Sequence, residues 1–202
     1  MIVNETNRIV SFVKSPDSNR RSDRARTAIL AAATASVAEI GYAKTTIEGI
    51  AGRAGVGKQT IYRWWSSKGA VVLDALLAEQ AEIELPDTGD FTADLRTVLR
   101  ATVDEFADPG ISATLRALMI DMQNDPALSE RVMERMLGPQ LDATKRRLES
   151  AQEAGQISAD LDLDVAVEMF FGPIYHRWIL QTMPLDRAYA DSLTTLAVRA
   201  LG

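Results

Sequence analysis

The chain has 202 residues, 47% of them hydrophobic and 25% charged, a balance that supports one or two globular domains and excludes global disorder. It contains no cysteine and a single histidine, His176, which excludes disulfides, thiolate metal centres, a cysteine nucleophile and multi-histidine metal sites. The net charge of −6 divides unevenly: residues 1–70 carry 11 Lys+Arg against 5 Asp+Glu, and residues 71–202 carry 11 against 23, so a basic front that suits nucleic acid precedes an acidic body that repels it.

Residues 1–21 lack sustained periodicity, and Ser11, Ser15, Pro16, Asp17, Ser18 and Asn19 read as a disordered tail. The same stretch has scattered polar residues and no signal-peptide pattern, and no apolar run in the chain reaches the length of a membrane span. A cytoplasmic protein without membrane contact is expected. From Arg24 the chain reads as helix, with Ile29, Ala33, Val37 and Ile40 on one stripe and Gly41 as its stop. Thr45 followed by Glu48 reads as a capping box for a short helix to about Ala54. After the break at Gly55, a third helix is expected from about Gly57 to Trp65, and a fourth from Ser67-Lys68 to about Glu84.

Pro86-Asp87-Thr88-Gly89-Asp90 reads as a linker. Beyond it, Phe91, Leu95, Leu99, Val103 and Phe106 form a helical stripe that ends at Asp108-Pro109-Gly110, and Leu115, Leu118, Met119 and Met122 form the next. A long helix follows Pro126 and runs to about Ala154, with Gly138-Pro139 expected to kink it, because proline removes a backbone donor and clashes with the previous turn. Asp162 is placed to cap a helix from Leu163 to about Thr182, and Tyr189, Leu193, Leu196, Ala197 and Ala200 mark the last stripe. No useful strand pattern and no repeat occur. The expected fold is all-α with about nine helices, divided into a helix-turn-helix domain over 22–68 and a helical domain over 69–202.

The stretch from Ile47 to Ile61 carries the chemistry. Two short helices crossing steeply at a tight turn need a small residue at their contact, a glycine in the turn and a large aliphatic facing inward from the second helix. Ala51, Gly55 and Ile61 supply these, and Ile50 and Val56 fill the remaining inward positions. The outward positions Lys58, Gln59, Thr60, Tyr62 and Arg63 all donate hydrogen bonds and none is acidic, the composition a helix needs in a DNA groove.

The motifs Gly41-Tyr42-Ala43-Lys44-Thr45-Thr46 and Ile50 to Tyr62, followed by Trp65 and Lys68, together resemble the tetracycline-repressor-like (TetR) family of bacterial regulators over about 45 residues. Gly57, Trp65 and Gly69 depart from the family's usual serine, phenylalanine and glutamate, and Gly57 leaves the second helix without a side-chain cap. The resemblance implies a homodimer on a pseudo-palindromic double-stranded DNA operator, with Lys58 and Gln59 at base edges. Thr45, Thr46, Tyr62, Trp64 and Lys68 are expected at phosphates, with Thr60 and Arg63 completing the DNA-binding set.

The remaining constellations are weaker. Asp160, Asp162 and Asp164 lack the glycine and glutamate a calcium loop requires, so no metal or cofactor is expected, and no nucleophile or phosphate-loop motif points to an enzyme. The helix from Val165 to Leu180 is apolar nearly all round, so it needs cover on several faces. Phe171, Tyr175 and Trp178, with Leu193, Leu196, Ala197 and Ala200, are the expected dimer interface. Phe106, Met119, Met122, Met136, Met169 and Phe170, with Arg116, His176 and Arg177 as polar groups, are the expected pocket for a small apolar effector. The resulting reading is a homodimeric repressor released by that effector. The alternatives are an activator, a regulator without a small-molecule effector, and a helical carrier or enzyme with a vestigial DNA-binding domain.

Overall fold

The structure, a computed structural model, describes residues 16–79 and 85–202. Helices α1 (Pro16–Ile40), α2 (Ile47–Ala54) and α3 (Lys58–Tyr62) are followed by α4 (Lys68–Glu79), with a short 3₁₀ turn at Tyr42–Lys44. The second half consists of α5 (Phe91–Ala107), α6 (Pro109–Met122), α7 (Pro126–Val132), a π turn (Met133–Leu137), α8 (Gly138–Glu153), α9 (Leu163–Leu180) and α10 (Arg187–Leu201). The described residues contain no strand, as the periodicity predicts.

The first helix starts at Pro16 rather than near Arg24, so part of the expected tail is helical. Pro16, expected in the tail, instead opens the helix, where a fixed φ and a missing N–H cost nothing. Residues 1–15 of the expected tail, and the expected extension of α4 over 80–84, lie outside the described residues. The third helix is shorter than expected, ending at Tyr62.

The long helix does not break at Gly138-Pro139. Its backbone takes a five-residue π turn at Met133–Leu137, which absorbs the donor that Pro139 lacks. Gly138 is required there, because a Cβ would stand 2.7 Å from the Met133 carbonyl oxygen.

Two cores form. One joins α1 to α4 through Ile29, Ile50, Ile61, Trp65 and Leu73, and it takes in Leu118, Leu128 and Val132 from α6 and α7. The other joins α5, α8, α9 and α10 through Leu99, Leu148, Phe170, Ile174 and Ala197. Met119 and Met136 touch both. The two halves are therefore welded by packing. Gly69 permits this on α4, since a Cβ there would fall 2.5 Å from a methyl of the buried Leu128.

The expected dimer residues separate on this framework. Phe171 and Trp178 are buried inside the protomer, Tyr175 packs on Phe106, and Leu193 and Ala197 belong to the protomer's own core. Only Leu196 and Ala200 face outward. Because α9 is apolar on two sides, its sequence does not reveal which side faces in. The stripe Val167, Phe170, Phe171, Ile174 and Trp178 packs inward, and the opposite stripe presents Val165, Gly172, His176 and Ile179 to solvent.

Candidate nucleic-acid interface and ligand cavity

Helix α2 is capped by Thr46, whose hydroxyl oxygen accepts from Gly49 N at 3.0 Å, and it ends at Gly55 in the left-handed conformation, φ 67°. Gly55 lets the chain reverse, and Val56 N then bonds back to the Ala51 carbonyl at 3.0 Å. Gly57 caps α3 with backbone alone. Ile61, fully buried, seats α3 against Ile50 and Ala51. Lys58, Gln59, Tyr62 and Arg63 consequently point to solvent, with Thr60 and Trp64 half-buried.

The sequence-predicted DNA residues therefore share one face, with two exceptions. Thr45 is buried and its hydroxyl donates to the Gly41 carbonyl at 2.9 Å, so it is a structural residue; Thr46, one position on, is the true cap. Lys68 is half-buried, its ammonium donating to the Tyr42 carbonyl at 3.1 Å and lying 4.1 Å from the Tyr42 ring centroid. Glu48, absent from the expected set, reaches Lys58 at 3.6 Å across open solvent. Arg63 lies over the Trp64 ring at 4.5 Å, which holds both side chains beside the exposed face.

Two polar ties that the sequence does not announce join this unit to the second half. The Tyr42 hydroxyl donates to Asp121 on α6 at 2.5 Å. Burial, then the hydrogen bond and charge of Asp121, push the Tyr42 hydroxyl far above the usual phenol range. Asp74 on α4 is buried and accepts from Trp65 Nε1 at 2.9 Å, Arg131 at 2.7 Å and Arg135 at 2.6 Å, with Arg26 at 3.5 Å. Burial opposes its ionisation, but the hydrogen bonds from Arg131 and Trp65 and the charges of Arg131 and Arg135 prevail and hold its pKa below the ordinary value. The signal in the sequence is Asp74 itself, one carboxylate inside the apolar run Val71 to Leu77.

A cavity of about 640 Å³ lies between α4, α5, α6, α8 and α9. Of the expected effector residues, Phe106, Met119 and Met136 line it. Met122 and Phe170 pack in the cores, Arg116 donates to Ser112 outside the cavity wall, and Met169 packs on the second core. His176 is exposed on the outer face of α9, and Arg177 is held by the Pro184 carbonyl and the Tyr189 ring. The wall gains Glu105, Tyr175 and Trp178, two of which were expected at a dimer interface. Phe106 stacks on Trp178 at 4.3 Å and meets Tyr175 edge-on at 5.3 Å. Burial pushes the Glu105 carboxyl up, and burial followed by the charge of Glu105 does the same to the Tyr175 hydroxyl. A group of three or more metal-ligating side chains is absent among the described residues, as is a helix long and apolar enough to cross a membrane.

Comparison with known proteins agrees with this geometry. Residues 29–75 match the family described as bacterial regulatory proteins, tetR family, and residues 85–197 match the tetracyclin repressor-like C-terminal domain. The chain is 31% identical over 183 residues to the uncharacterised HTH-type transcriptional regulator YdeS of Bacillus subtilis (strain 168), covering 90% of this chain and 91% of that protein. The crystal structure of the TetR family transcription regulator SCO0332 superposes with a TM-score of 0.75 at 32% identity, covering 89% of this chain and 99% of the other. FadR from Bacillus subtilis, solved with stearoyl-CoA, shares the fold with a TM-score of 0.62 at 22% identity, covering 87% and 99%. With its exposed α3 face and all-helical second half, the chain belongs to the TetR family of helix-turn-helix transcriptional regulators.

Proposed function

We propose that the chain acts in the cytoplasm as a homodimeric repressor that leaves its operator when a small, largely apolar molecule enters the second half. One observation carries the reading: the exposed donor-rich face of α3 and a cavity of about 640 Å³ are built on the same welded frame. Lys58 and Gln59 are the base readers, and Thr46, Tyr62, Arg63 and Trp64 the phosphate contacts. Thr60, half-buried, is a lesser contact. Lys68 and Thr45 serve the interface by fixing its frame.

The dimer reading rests on outward apolar residues of the last two helices. Val165, Ile179 and Leu196 are 59%, 51% and 63% exposed, beside Gly172 and Ala200, which allow close helix approach. The proposed dimer on this face sets its two recognition helices to the spacing of successive major grooves, about 34–36 Å. The effector reading is further supported by the acyl-CoA bound to a neighbour of the same fold.

The test is fluorescence anisotropy with DNA from upstream of the chain's own gene. Binding is expected, with Lys58→Ala plus Gln59→Ala changing the preferred sequence and Tyr62→Phe weakening all sequences alike. A double variant with unchanged affinity and preference refutes base reading by α3. Absence of any DNA binding favours a carrier or enzyme with a vestigial domain.

A further inference from the structure

The cavity has a charge pattern that deepens the effector reading and rests on it. Glu105 is the one ionisable carboxylate on its wall, and no lysine, arginine or histidine joins it there among the described residues. No described side chain gives Glu105 a hydrogen bond or ion pair. The hydroxyls of Thr97, Thr102 and Thr144, also on the wall, donate to the carbonyls of Ala93, Val98 and Gln140 on their own helices. They therefore turn only lone pairs toward a ligand. Next to Glu105 stands the aromatic group of Phe106, Tyr175 and Trp178.

We infer that the effector is a lipophilic organic cation whose positive group sits against Glu105 and whose apolar body lies along Phe106 and Tyr175. A half-buried carboxylate without a counter-ion is costly, and a cation supplies the missing partner. Aromatic faces attract the same charge, and the threonine hydroxyls offer it acceptors; the donors on the wall, Gln140 and Tyr175, are neutral and give an anion no counter-charge. An anionic group entering here meets Glu105 with no compensating cation on the wall; Arg116, 5.8 Å from the Trp178 ring centroid, is not on it and donates to Ser112. Arg147 does not supply one: its Nη1 lacks a partner among the described residues, but it is paired with Asp94 at 2.8 Å and borders a separate small cavity.

The experiment uses tetraphenylphosphonium and tetraphenylborate, near-equal in shape and opposite in charge, titrated into the full-length chain by calorimetry. The phosphonium is expected to bind about tenfold or more tighter than the borate, the scale of one close charge pair across a desolvated contact. Glu105→Gln, nearly isosteric, is expected to abolish that preference with circular dichroism unchanged. Equal or tighter borate binding, or a preference that survives Glu105→Gln, overturns the inference. Operator release by stearoyl-CoA or the borate, and not by the phosphonium, overturns the cation assignment while the ligand-responsive reading stands. If none of these compounds binds the cavity, both fall.

Discussion

Replacing Asp74 tests whether one buried carboxylate holds the two halves together. In Asp74→Ala, Trp65 Nε1, on a residue only 1% exposed, loses its acceptor, and Arg131 and Arg135 lose the same partner. An orphaned buried donor costs roughly 1–3 kcal/mol, and breaking a buried ion pair roughly 3–5 kcal/mol. The lower end applies here, because the Arg131 and Arg135 side chains are 31% and 38% exposed and can rehydrate. The net expectation is a loss of about 3 kcal/mol, which for a chain of this size lowers the melting temperature by roughly 6–12 °C. Asp74→Asn, which keeps an acceptor for Trp65, should lose about half as much. Protein concentration is held fixed in these melts, because the proposed dimer makes them concentration-dependent. The pH dependence gives the sign. The folded pKa of Asp74 lies below its unfolded value, so its contribution is full above the unfolded pKa of about 3.9 and is lost as pH falls through the folded value. The gap between wild type and Asp74→Asn should therefore be the same at about pH 7 and pH 5 and shrink below about pH 4. An Asp74→Ala chain that melts within about 2 °C of wild type refutes the reasoning.

Ile179→Glu together with Leu196→Glu places charges on the outward face of α9 and α10 and should yield a helical monomer in sedimentation velocity at micromolar concentration; a persisting dimer refutes the assigned face. Thr46→Ala removes the α2 cap and should cost about 1 kcal/mol in chemical denaturation along with weaker DNA binding. Thr45→Val should lower stability by about as much, through the lost hydrogen bond to Gly41, and leave the salt slope of DNA binding unchanged. A flattened slope in Thr45→Val means that Thr45 meets phosphate after all.

The DNA-facing unit was legible because its constraints are local. Ala51, Gly55 and Ile61 stand at fixed offsets, and the outward side chains of α3 follow from where Ile61 points. The cap of α2 was read one residue early: the Thr45–Glu48 spacing points to Thr45, but Thr45 is buried on the Gly41 carbonyl and Thr46 caps the helix without a glutamate three residues on. The inner face of α9 was not legible. A helix apolar on two sides gives no direction of its own, so Phe171 and Trp178 were expected at an outer surface and lie instead at the core and cavity. Asp104 and Glu105, adjacent on one helix, point in different directions, which sets them aside as a catalytic pair but does not say which of the two faces inward. Asp104 does face out, paired with Arg187, while Glu105 turns toward Tyr175 and the cavity. Long-range partners such as Asp74 with Arg131, or Tyr42 with Asp121, need the fold before they can be named.

The π turn at Met133–Leu137 links the cavity to the core that seats α3. Met136 and Leu137 line the cavity, while Arg135, within the same turn, donates to Asp74. Asp74 in turn accepts from Trp65, which packs in the core that seats Ile61 of α3. A ligand that presses on Met136 or Leu137 thus moves the segment that carries Arg135. A ligand releases DNA only by binding the free conformer more tightly than the bound one, and each tenfold of that difference is about 1.4 kcal/mol. Arg135 is off the cavity wall and bonds Asp74 from the turn that carries Met136 and Leu137, so its removal tests the coupling apart from ligand contact. Arg135→Ala should leave ligand affinity and operator affinity each within about threefold of wild type, and reduce the ligand's effect on operator affinity by about tenfold. The measurement is operator affinity with and without saturating ligand, for wild type and variant at one salt concentration. Equal release in both proteins means that Arg135 carries no coupling, and the second polar tie, Tyr42 to Asp121, is then the route to examine with Tyr42→Phe.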